Sequence, residues 1–154
     1  MTETVVAPAA LSDPDVVLLI ERHRDFCAAH TPPESGHAVA PEALADADAR
    51  YWIARADGRA VGCIGLRALA PGHGEIKTLH VLAEARGRGL GARLVGALLD
   101  AARDAGMERV SLETGRSDGF APSRALYRRL GFAPCDAFGP YVGDPFSYCM
   151  TTEL

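Results

Sequence analysis

Three glycines alternate in RGRGLG at 86–91, after a candidate strand and at the start of an apolar helical pattern. Without a Cβ, a glycine backbone can approach an anion closely. A helix N-terminus adds unbonded N–H groups and a partial positive charge. Together they suit a pyrophosphate. A phosphate loop of the Walker type would end in GK[ST], but Gly91 is followed by Ala92 and Arg93. A dinucleotide fingerprint would need a third glycine where this chain has Ala92 or Leu94.

Two carboxylates could do proton chemistry. Glu75 opens the strand before the glycine turn, and Glu113 lies on the next strand, pointing away from the inward Val110 and Leu112. If both face one cleft, their proximity would raise one pKa toward a useful value. Lys77, the lone lysine, lies two positions beyond Glu75 and would counter that effect. Otherwise the two are a solvated sheet face or partners of arginines. His23 falls on the apolar side of the first helical segment, where it is either a packed core residue or a base. His23, His30 and His37 are spaced by seven, as are His73 and His80. Pro32 and Pro33 break the first series, and an odd separation on a strand puts the second pair on opposite faces. No metal site is expected.

The elements that must hold these groups follow from periodicity. A short strand is read at 5–6. Ser12 or Asp13 caps a helix with Pro14 in its first turn, running to about His30. A loop stiffened by Pro32 and Pro33 follows, then a short helix after Pro41. Strands at 51–56 and 59–69 flank the hairpin turn Asp57-Gly58. In the strand at 75–81, Ile76, Leu79 and Val81 are the apolar positions. The step of three from Ile76 to Leu79 predicts a β-bulge within 77–79, which would splay the neighbouring strand. Leu90, Leu94, Ala97, Leu98, Ala101 and Ala105 form a stripe on the next helix, with Gly106 capping it. A strand at 109–114, a helix at about 122–130 and two last strands at 132–137 and 147–152 complete one α+β domain over 1–154.

The chain has 154 residues, 48% hydrophobic and 23% charged, so it is not a disordered polymer. A net charge of −4 argues against nucleic acid. No apolar run is long enough for a membrane span. The acidic start has no basic segment of the signal-peptide type, and the four cysteines form no CxxC pair. A cytoplasmic chain with free thiols is expected.

Strand with a break, RxxGxG turn, helix, strand, then a helix carrying Ala125-Leu126-Tyr127 and closed by Gly131-Phe132 resembles the GNAT family of acetyl-CoA-dependent N-acetyltransferases. PPESGHAV (32–39), HGEIKTLHV (73–81), SLETG (111–115), ALYRRLGF (125–132) and DPFSYCMTTEL (144–154) resemble its YsnE-like, indole-3-acetic-acid acetyltransferase-like subgroup. The resemblance implies a mixed, mostly antiparallel sheet of about seven strands, splayed at a bulge and flanked by helices. It implies that the backbone of Leu79, His80 and Val81 pairs with the pantetheine arm. A backbone N–H there would hold the oxyanion. Arg86, Gly87, Arg88, Gly89, Leu90, Gly91, Ala92 and Ser123 would bind the rest of the cofactor. Tyr127 matches the tyrosine that protonates the departing thiolate. Thr114 and Ser117 stand where many relatives have Asn. Glu75 and Glu113 are the base candidates for a small amine acceptor. His23, Glu34, Ser35, His37 and Tyr141 are candidate acceptor contacts. The expected activity is direct acetyl transfer in a ternary complex, with a non-catalytic acyl-CoA-binding domain as the alternative. Relatives of this kind are often homodimers.

Overall fold

Asp57 and Gly58 both take positive φ, 49° and 84°. That is the hairpin turn whose twist matches the strands it joins, and it sets β2 (Ala49–Ala56) antiparallel to β3 (Arg59–Ala70). In this computed structural model, which describes residues 3–35 and 49–154, five more strands join that hairpin. They are β1 (Thr4–Ala9), β4 (His73–Val81), β5 (Arg109–Gly115), β6 (Ala133–Pro134) and β7 (Ser147–Glu153). The sheet order is β1-β2-β3-β4-β5-β7-β6, and only the β4–β5 pair is parallel. Among the described residues three helices cover it: α1 (Pro14–His30), α2 (Leu90–Asp104) and α3 (Ala121–Arg129). The expected α+β architecture and its seven strands are present. The short helix expected after Pro41 lies outside the described residues.

Two cores split at the sheet. Trp52, Ile64, Ile76, Leu94, Leu98 and Leu112 pack on the side of α2, and Val16, Leu19, Ile20, Tyr51, Ile53 and Cys63 on the side of α1. Asp13 is the cap of α1, its carboxylate accepting from the N–H of Asp15 at 2.9 Å. Gly106, at φ 80°, lies one position past the true C-cap of α2, Ala105. The buried stripe of α2 is broader than the expected one: Val95, Leu99 and Ala102 join Leu90, Leu94 and Leu98, Ala97 and Ala101 are half-buried against the same core, and Ala105 is exposed. The strand expected over 132–137 shrinks to two exposed residues. Pro134 has no N–H to extend the ladder, and the chain leaves the sheet edge after one further bond, Cys135 N–H to the Cys149 carbonyl at 3.0 Å.

The break predicted in β4 is present. Gly65 pairs with Thr78 and Leu66 with Ile76, so Lys77 is the extra residue. Ile76, Leu79 and Val81 therefore all reach the α2 side. The same insertion overturns the expectation that His73 and His80 lie on opposite faces. Seven steps plus one bulge is an even count, and both side chains face the α1 side, His80 opposite Cys63 and His73 bonded to Ser111 at 2.6 Å. β4 and β5 pair only from His73↔Arg109 to Ile76↔Leu112, and beyond that they diverge.

Leu94 is fully buried beneath the sheet. Leu94→Ala is expected to cost about 2–5 kcal/mol, read as a lower urea midpoint with an unchanged slope.

Candidate active site

The glycine turn forms one end of a cleft of about 950 Å³ that fills the opening between β4 and β5. Gly87 and Gly89 take φ 80° and 77°, a backbone that other residues adopt only at a cost, and the space a Cβ would occupy is open at both. Gly89 is the N-cap of α2 and supplies no side chain to bond its free N–H groups. The first amide of this helix with a carbonyl partner is that of Arg93, to Gly89 at 3.2 Å. The N–H groups of Leu90, Gly91 and Ala92 belong to the unpaired first turn. Gly91 has a second reason to be glycine: a Cβ there would lie 2.9 Å from Leu126 of α3.

Arg86, Gly87, Gly89, Leu90, Gly91, Ala92 and Ser123 line the cleft, whereas Arg88 is exposed outside its lining. The Nε of Arg86 donates to the Val81 carbonyl at 3.0 Å, and its guanidinium lies over Phe26, 5.4 Å from the ring centre. Leu79, His80 and Val81 give one wall and residues 112–115 the other. On the β5 side these two walls exchange no ladder bonds, so β4 presents an unpaired edge. Tyr127 borders the same space, 4% exposed, its ring against Phe132 at 5.4 Å. Burial holds its phenol well above the usual pKa, so it keeps its proton.

Helix α1 roofs the other end with His23, Phe26 and Cys27. His23 and His80 meet edge to face at 5.5 Å. Burial, with His80 close by, lowers His23 to about 3. Burial, with Arg86 and Arg22 close by, lowers His80 to about 4. Both are neutral at physiological pH, and His23 is too weak a base to take a proton from an amine. Its Nε2 lies 3.4 Å from the Cys27 sulfur, and burial, reinforced by Glu113, pushes that thiol up to about 12. Phe26, Cys27, Phe120 and Phe146 were not singled out from the sequence, although Phe26 and Cys27 stand three and four positions after His23, the helical spacing that shares its face.

The two carboxylates separate. Glu113 lines the cleft. Glu75 is buried outside the lining, accepting from the Tyr141 hydroxyl at 2.8 Å, with Lys77 Nζ 3.6 Å away. Tyr141 and Lys77 both line the cleft. Ser35 also lines it, but its hydroxyl donates to Asp144 at 2.9 Å and ties two loops together. Glu34 is exposed outside the lining, and His37 lies outside the described residues. Ser117 donates to the His30 carbonyl at 2.8 Å. Among the described residues no cluster of His, Cys, Asp and Glu could hold a metal, and no helix is long and apolar enough to cross a membrane.

A strand edge opened by a bulge, beside an uncapped helix start, agrees with what the chain is similar to. The model of the Acetyltransferase (GNAT) family matches residues 18–132. The chain belongs to the GNAT acetyltransferases. Among GNAT relatives, a protein of Azospirillum brasilense named IAA acetyltransferase is 40% identical over 153 residues, 98% of this chain and 97% of that one. The uncharacterized N-acetyltransferase YsnE of Bacillus subtilis (strain 168) is 35% identical over 144 residues, 94% of this chain and 95% of its own. The solved structure of the PaiA N-acetyltransferase from Thermoplasma acidophilum, a complex with coenzyme A, shares the GNAT fold at TM-score 0.75 and 16% identity over 99% of both chains.

Two measurements test this geometry. Gly89→Ala forces a Cβ into left-handed backbone, a strain of about 1–2 kcal/mol. It is expected to weaken coenzyme A binding roughly tenfold in calorimetry, and unchanged affinity would contradict the turn's role. His80 titrates lower in the folded chain than in the unfolded one, so its contribution is complete above pH 6.5 and is lost as pH falls toward 4. The loss is on the order of 2–3 kcal/mol, seen as a falling urea midpoint; His80→Leu makes the fall shallower and leaves the share that His23 contributes over the same range.

Proposed function

We propose that this GNAT protein transfers the acetyl group of acetyl-CoA to the amine of a small molecule, by direct attack while both substrates are bound. The observation that carries this reading is the shared cleft: the unpaired edge of β4, the uncapped start of α2 and the protonated Tyr127 all border one space. The N–H groups of Leu90, Gly91 and Ala92 provide the donors and the dipole for a pyrophosphate. Open space over Gly87 and Gly89 lets such a group approach the backbone. The edge of Leu79, His80 and Val81 offers backbone donors and acceptors to a pantetheine amide lying like an added strand. One of those N–H groups polarises the thioester carbonyl.

Glu113 faces the cleft from β5 and takes the proton that an ammonium acceptor must lose. The amine nitrogen then forms its bond to the acetyl carbon as the carbon–sulfur bond breaks. Tyr127 gives its proton to the departing thiolate, and its phenolate is reprotonated by the second proton that the acylated nitrogen sheds as it becomes the amide. His23, His80 and Phe26 contribute an uncharged wall, which keeps water from competing with the amine.

The test is Tyr127→Phe assayed by thiol release with a panel of primary amines. A fall in kcat of about 10²-fold with unchanged coenzyme A affinity is expected. A loss below threefold would remove Tyr127 as the acid. Saturable coenzyme A binding by the unaltered protein, without turnover on any amine, would favour a binding module.

A further inference from the structure

Glu75 is a carboxylate on the family's bulged strand, yet it does not meet the cleft. Its Oε2 accepts from the Tyr141 hydroxyl at 2.8 Å. That hydroxyl accepts in turn from Lys77 Nζ at 2.9 Å. Lys77 completes the triangle 3.6 Å from Glu75. Glu75 is 5% exposed and Tyr141 2%. The phenol both donates to and accepts from side chains of β4. Burial and the Glu75 carboxylate hold the proton on Tyr141. The other charged and titratable groups facing Glu75 and Tyr141 include Arg67, the register partner of Glu75 on β3, His73 on β4, Glu113 on β5 and Cys149 on β7.

Tyr141 belongs to the connection between β6 and β7. The same connection is held at a second point, where Asp144 accepts from Ser35 and from the Phe146 amide, both at 2.9 Å. Between these anchors the segment borders the cleft through the ring of Tyr141. Phe146, just beyond, packs against Phe120 at 6.2 Å and borders it too.

We propose that Glu75 is a positioning residue: through Tyr141 it fixes the β6–β7 connection as the roof of the acceptor pocket, and Tyr141 determines which acceptors fit. Lys77 offsets the charge of the buried carboxylate from 3.6 Å, and Glu75 lies outside the cleft lining. Glu75 therefore contributes to acceptor affinity and selectivity and not to the pH dependence of the chemical step. The kinetic part of this inference rests on the transferase reading above, while the structural part does not.

Two measurements separate these. The first is steady-state kinetics of Tyr141→Phe, Glu75→Gln and Glu75→Ala, with acetyl-CoA and benzylamine, tryptamine and spermidine as acceptors. Tyr141→Phe is expected to raise acceptor KM at least tenfold, with kcat and the KM for acetyl-CoA changed less than threefold. Glu75→Gln keeps an acceptor for the Tyr141 hydroxyl. It is expected to restore most of what Glu75→Ala loses and to leave the pH–kcat profile unmoved. A hundredfold fall in kcat for Glu75→Gln, or loss of a limb of that profile, would overturn the proposal and make Glu75 the base. The second is hydrogen exchange of the amides at 138–146 in the protein alone, which needs no acceptor. Glu75→Ala and Tyr141→Phe are expected to speed it at least tenfold and Glu75→Gln far less. Unchanged exchange in all three would overturn the proposal. Absence of turnover with altered exchange would count against the transferase reading and leave the anchoring role standing.

Discussion

Lys77 is one residue more than β4 needs to match β3, and the site depends on that surplus. Up to Ile76 the strand is held on both sides, by β3 and by β5. After the inserted residue it stays with β3, as Gly65↔Thr78 and Gly62↔Val81 show, and gives up β5. β5 meanwhile stays paired with β7 through Gly115. Neither strand can close the gap without abandoning its other partner. The result is an open strand edge inside the sheet, where Leu79, His80 and Val81 have no strand neighbour on one side and the Val81 carbonyl is taken by Arg86 instead. Buried backbone donors and acceptors are costly when unpaired. An edge of this kind is stable only if water or an extended ligand backbone completes it.

The same insertion sorts the chemistry by face. It brings Ile76, Leu79 and Val81 to the α2 side as a continuous apolar floor, and it puts Glu75, Lys77 and His80 on the α1 side together. The start of α2 meets the splayed edge from one side and α1 roofs it from the other. Burial then decides the charge states. Two histidines become neutral walls, Tyr127 and Tyr141 keep their protons, and the Cys27 thiol stays uncharged. In so little water each remaining dipole or carboxylate, Glu113 among them, acts more strongly than it would at a surface.

The glycine turn and the bulge were legible because each is a local signal, whereas Tyr127 was marked by the family resemblance. Glycines at 87 and 89 answer a backbone requirement that no other residue meets cheaply. A step of three among strand apolar positions has a single geometric remedy. Glu75 and Glu113 looked alike by the same reasoning, since both alternate away from apolar neighbours. What parted them is Tyr141, 66 positions from Glu75 in sequence, whose hydroxyl donates to Glu75 and shields it from the cleft that Glu113 lines. Ser35 and Asp144, separated by 109 positions, joined in the same non-local way.

Residue order by itself thus determined the family, the sheet with its break and the glycine turn at the start of α2, because backbone conformation and periodicity are written within a few neighbours. Tertiary structure alone decided which polar groups reach the cleft, which are consumed in holding its roof, and which histidines lose their charge. Those outcomes depend on distance and on exclusion of water, and both arise only when remote segments pack together.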